Sequence, residues 1–126
     1  MELLNNFYQI LNLEKGADDN LLAQIKIDKS HAIFKGHFPN HPVTPGVCTL
    51  QIIKELSEKW AGTSLMLKTA RNVKFMAIIN PELNDLVQFE LQFEAINNEE
   101  ISVKSTVWME EIPALKFSGL FQKLSL

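Results

Sequence analysis

The sequence predicts a two-layer α+β domain, one long helix laid against an antiparallel sheet of about five or six strands. Three observations predict it. Between Val47 and Trp60, Ile52, Ile53, Leu56 and Trp60 recur at helical spacing, while Lys54, Ser57, Glu58 and Lys59 take other positions. From Leu86 onward the period drops to two and holds through Phe121. A sheet with one apolar face and a single helix to cover it closes one core, and 126 residues suit a single domain spanning 1–126.

In chain order, Tyr8–Leu13 and Leu22–Asp28 alternate well enough to be strands, with Ala23, Ile25 and Ile27 on one face. Gly16-Ala17-Asp18-Asp19-Asn20 is the turn between them. The stretch Gly36 to Gly46 holds Pro39, Pro42 and Pro45, which remove backbone donors and fix φ, so no helix or central strand runs through it. The helix follows at once, and Gly62 suits its stop. Arg71–Ala77 reads as a further strand, with Val73, Phe75 and Ala77 sharing a face. In Leu86–Ala95 the inward set is Val87, Phe89, Leu91, Phe93 and Ala95. Ile101, Val103, Ser105, Val107 and Met109 continue the scheme, as do Leu115, Phe117, Gly119 and Phe121. Asn97-Asn98 and Ile112-Pro113 mark the turns between these strands.

Composition narrows the function classes. With 46% apolar and 21% charged residues, the chain has the balance of a soluble globular protein and buries a core without metal or disulfide help. Cys48 is its one cysteine, so no internal disulfide forms, and one thiol with three scattered histidines makes a poor structural zinc site. No secretory signal is visible, and the longest apolar run, Phe75–Ile79, is far short of the roughly 20 residues that span a bilayer; a cytoplasmic location is expected, away from membranes. A net charge of −3 argues against nucleic-acid binding. The charge is unevenly spread: residues 26–74 hold eight of the twelve Lys/Arg but three of the fifteen Asp/Glu. A basic middle in an acidic chain suits an anionic partner, and equally suits lysines decorating exposed faces.

The run Gly36-His37-Phe38-Pro39-x-x-Pro42-Val43-x-Pro45-Gly46-Val47, opening directly onto a helix, resembles the signature of the β-hydroxyacyl-acyl carrier protein dehydratases of the FabA/FabZ type. Asn72-Val73-Lys74-Phe75, then Pro81 and Asp85 before Leu86, looks like that family's next strand and turn, so the likeness covers roughly Ser30 to Phe93. The resemblance implies the hot-dog fold, a long central helix wrapped by an antiparallel sheet. It implies a homodimer, each site built from the histidine of one subunit and helix residues of the other. It also implies a (3R)-hydroxyacyl thioester substrate on an acidic carrier protein, with Lys35, Lys68, Arg71 and Lys74 as candidates for docking it.

Dehydrating a 3-hydroxyacyl thioester needs a base for a C2 proton and an acid for the departing hydroxyl, and requires no cofactor. A histidine suits the first task because its ordinary pKa, near ~6.5, lies close to working pH. His37 is the matching position. Donors are also needed for the developing enolate oxygen, and the first turn of a helix supplies them. Gly46 matches the family residue whose amide faces the thioester carbonyl; Phe38 and Val47, in the same motif, are assigned to substrate contact.

One position departs from the pattern. Where the family places Glu or Asp, fourteen residues after the histidine, this chain has Gln51, which hydrogen-bonds a hydroxyl but delivers no proton. The FabZ helix reads Glu and, four residues on, Gln; here Gln51 is followed by Glu55, so acid and amide have exchanged places. Glu55 is the one nearby carboxylate on the helix, displaced about 6 Å, and reaches the site through Gln51 or a water, or else is exposed or pairs with Lys59. Three functions follow: a dehydratase, a catalytically silent subunit that binds acyl chains or an active homologue, and, less favoured, a thioesterase. Cys48 reads as a small packing residue ahead of a thiol nucleophile; His31 and His41 are expected to be exposed; Trp60 and Trp108 are expected in the core or along an acyl tunnel.

Overall fold

Each alternating segment becomes a strand. The computed structural model, which describes residues 6–36 and 43–124, runs β1 (Tyr8–Lys15), β2 (Asn20–Ile27), α1 (Ile33–Gly36), α2 (Gly46–Ala61), β3 (Leu65–Phe75), β4 (Leu86–Ala95), β5 (Glu100–Met109) and β6 (Ile112–Lys123). The strands form one antiparallel sheet in the order β1-β2-β4-β5-β6-β3. The core forms where its inward residues meet the buried side of α2: Cys48, Ile52, Ile53 and Leu56 pack with Ala23, Ile25, Phe89, Leu91, Val103 and Phe121. Burying these side chains, each worth about 1.5–3 kcal/mol if large, is what holds the helix on the sheet.

The helix ends as its glycine requires: Gly62 sits at φ 70° and its N–H reaches the Glu58 carbonyl, a left-handed C-cap that a side chain would strain. Asp18 and Asp19 take the left-handed region in the β1–β2 turn. Near the strand order's far edge the ladder is irregular, with register shifts at Leu67/Thr69 and Ala70/Asn72. Gly119 lies opposite Ala70, and the Phe117 ring folds over it.

Several boundaries differ from the sequence expectation. The strand read at Arg71–Ala77 begins six residues earlier, at Leu65, and stops at Phe75. It is an edge strand, largely exposed, so no apolar alternation marks its first half. Phe75 is 58% exposed, and Ala95 is also outward. The β5–β6 turn is Glu110-Glu111, with Glu110 at φ 54°. Ile112 and Pro113 already belong to β6, paired with Met109 and Trp108 beside a register shift, a place where a strand tolerates the missing proline N–H. Trp60 is partly buried and stacks on Phe93 at 4.3 Å between ring centroids.

Candidate active site

Two anchors flank the proline loop. Before it, α1 is fastened by Phe34, buried against Phe7, and by His31, whose Nδ1 accepts the Ile33 N–H at 3.1 Å. His31 is therefore half-buried in the fold, also edge-on to Phe7, and not the exposed residue expected. After it, the Thr44 N–H bonds the Ile79 carbonyl at 2.9 Å. His37 and Phe38, the expected base and its neighbour, lie outside the described residues, as do Pro39, Asn40, His41 and Pro42.

The N-terminus of α2 lines a cleft. Pro45 precedes it in extended conformation and no side chain among the described residues caps it. The first intrahelical bonds run from Cys48 and Thr49 to the Pro45 carbonyl, so the N–H groups of Gly46 and Val47 stand ahead of the ladder. Close approach at Gly46 is made by a ring: a Cβ there would fall 2.6 Å from Phe75 Cζ, so any larger residue would make this exposed ring turn aside from the helix start. Beside it opens an apolar cleft of about 450 Å³ walled by Val43, Thr44, Thr49, Phe75, Ile79 and Leu115. Thr44 Oγ1 is buried in this wall without a hydrogen-bond partner among the described residues.

A second groove, about 230 Å³, lies between Val47, Leu50, Gln51 and Lys54 of α2 and the sheet residues Leu67, Phe117 and Phe121. Val47, 66% exposed, leads into it from the helix start. Gln51 sits on this wall and its Nε2 donates to Glu55 Oε2 at 3.1 Å. The other carboxylate oxygen of Glu55 accepts the Tyr8 hydroxyl at 2.7 Å. Glu55 is thus neither exposed nor paired with Lys59; it is clamped between the first strand and its own helix. Burial, then the bond to Glu55, pushes the Tyr8 hydroxyl well above the usual phenol range, so it stays a donor. The places of Tyr8 beside Glu55 and of Thr44 in the cleft wall were not legible in the sequence, since a tyrosine in a strand and a threonine in a loop carry no spacing signal.

Cys48 is fully buried, and burial pushes its thiol up. It should therefore resist alkylation by iodoacetamide in the folded protein and react only on unfolding, as mass spectrometry of labelled samples would show. No helix among the described residues is long and apolar enough to cross a membrane.

A family model of ApeI-like dehydratases matches residues 13–110, a span that takes in the loop, α2 and the strands β2 to β5. This chain belongs to the ApeI-like dehydratase family. Among curated proteins it is similar to the 3-hydroxyacyl-acyl-carrier-protein dehydratase FabZ of Lactiplantibacillus plantarum, at 31% identity over 103 residues, 73% of this chain and 69% of that one. Among solved structures it resembles a chain of the dehydratase heterocomplex ApeI:P from Xenorhabdus doucetiae, with TM-score 0.73, 16% identity and coverage of 91% and 97% of the two chains. A mutant thioesterase from Pseudomonas aeruginosa superposes with TM-score 0.67 at 12% identity, covering 93% of this chain and 82% of that one. At such identities the structural likeness establishes the fold. The six-stranded antiparallel sheet around one helix is the hot-dog fold that the loop motif implied.

Proposed function

We propose that this chain removes water from a (3R)-hydroxyacyl thioester to give the trans-2-enoyl thioester, in fatty acid synthesis or a related lipid or polyene route. The single observation that supports it most is the helix start at Gly46, lining an apolar cleft directly after the histidine-bearing loop. In this reading the thioester carbonyl lies at the Gly46 amide, with Phe38 and Val47 against the chain. His37 takes the C2 proton, charge develops on the carbonyl oxygen, and the helix amides stabilise it. The C3 hydroxyl, held by Gln51, which Glu55 orients, departs as water with the proton His37 took from C2, or with one delivered by a protonated Glu55 through a bridging water. Incubating the protein with short and long 3-hydroxyacyl carrier thioesters, and following the loss of water by mass spectrometry, tests the reaction. Unchanged masses at every chain length would reject it.

The partner is an acyl carrier protein or a coenzyme A thioester, and the assembly a homodimer. Its edge strand β3, with Met66, Leu67 and Phe75 exposed, suits pairing with a second sheet. Among the docking candidates, Lys68 is already engaged with Glu100 at 2.6 Å. Lys35, Arg71 and Lys74 are exposed, and Lys74 stands directly opposite Lys116 in the ladder, concentrating positive charge. Carrier-protein affinity should therefore fall steeply as salt rises past physiological strength, where the Debye length is about 8 Å, in a titration across ionic strength. Salt-independent affinity would point to a coenzyme A thioester.

A second reading is supported by Gln51 and by the likeness to a chain of a dehydratase heterocomplex. Here the domain is a silent subunit that binds acyl chains beside an active homologue. Co-expression with such a homologue, and assay of each alone and together, separates the two.

A further inference from the structure

Glu55 has two oxygens and the fold assigns each a donor. Tyr8, brought from the first strand to a residue 47 positions away, gives its only hydroxyl hydrogen to Oε1, and Gln51 gives an amide hydrogen to Oε2. A carboxylate oxygen repels an amide oxygen, so the Gln51 amide can face Glu55 only with its nitrogen end. Its oxygen is then the end left for a ligand on the α2 groove. Resting on the acyl-site reading above, we infer that Tyr8 is a positioning residue which, through Glu55, locks Gln51 with its acceptor end toward C3 of the substrate. The site thereby selects a 3-hydroxyacyl group, which donates a hydrogen bond, over the 3-oxoacyl group, which only accepts.

Binding can be read without turnover by using pantetheine amides, in which nitrogen replaces the thioester sulfur and leaves C2 far less acidic. Calorimetric titration of the full chain with 3-hydroxyoctanoyl, 3-oxooctanoyl and plain octanoyl pantetheine amide should show the hydroxy ligand favoured over the oxo ligand by about tenfold. Tyr8→Phe, which frees the carboxylate to rotate, should bring that ratio close to one while leaving octanoyl affinity unchanged. Glu55→Gln should invert it: Tyr8 then bonds the new amide's oxygen, the new NH₂ faces Gln51, and Gln51 turns its donor end outward. The second variant keeps the test decisive if the first folds poorly. A wild-type protein with no preference, or both variants keeping the wild-type ratio, overturns the inference even where water loss is observed. A clear preference in a protein that releases no water upholds it and rejects the catalytic reading alone. If none of the three amides binds, both fall.

Discussion

His37→Ala should lower the dehydration rate by about 10²–10⁴-fold while leaving the thermal unfolding midpoint unchanged. The rate loss is that of a general base, because the substitution removes the imidazole at the family's base position. Stability should survive because the loop is held by other groups: Phe34 against Phe7, His31 on the Ile33 N–H, and the Thr44–Ile79 backbone bond. Steady-state kinetics beside a thermal melt of both proteins checks both statements; near-full activity in the variant would falsify the base assignment.

Glu55→Gln should reduce turnover by about 10²-fold, the scale of a misplaced catalytic group, if Glu55 serves the hydroxyl through Gln51. Gln51→Glu should preserve or raise it. The geometry gives the reason. Gln51 Nε2 lies 3.1 Å from Glu55 Oε2, so a carboxylate at position 51 would confront a second one across a hydrogen-bond distance. Two carboxylates that close do not both ionise readily, and the pair retains a proton to higher pH, which is the proton the leaving hydroxyl needs. In a silent subunit, wild type and Glu55→Gln would both release no water, whereas Gln51→Glu would gain activity. Active wild type, with neither substitution altering the rate, would mean that His37 carries both proton transfers and that Glu55 only fastens the first strand to the helix. Three purified proteins assayed side by side for water loss decide among these outcomes.

The period-two pattern of β2, β4, β5 and β6, and the helical spacing of Ile52, Ile53 and Leu56, were enough to specify the two layers, because burial on one face leaves an alternation that no tertiary information is needed to see. The loop from Gly36 to Val47 specified the family in the same local way, through prolines and glycines whose backbone demands fix their spacing. What remained hidden involves residues distant in sequence. The edge strand β3 buries little, so its first half carried no periodic signal and its start was placed late. Phe75 crossing Gly46, and Tyr8 closing on Glu55, join positions that only the wrapped sheet brings together. On the helix alone, Glu55 was a carboxylate one turn from the expected place, free to be exposed or to pair with Lys59. The first strand decided otherwise, because a phenol half-buried beside it has one hydrogen to give and the carboxylate is the acceptor within reach.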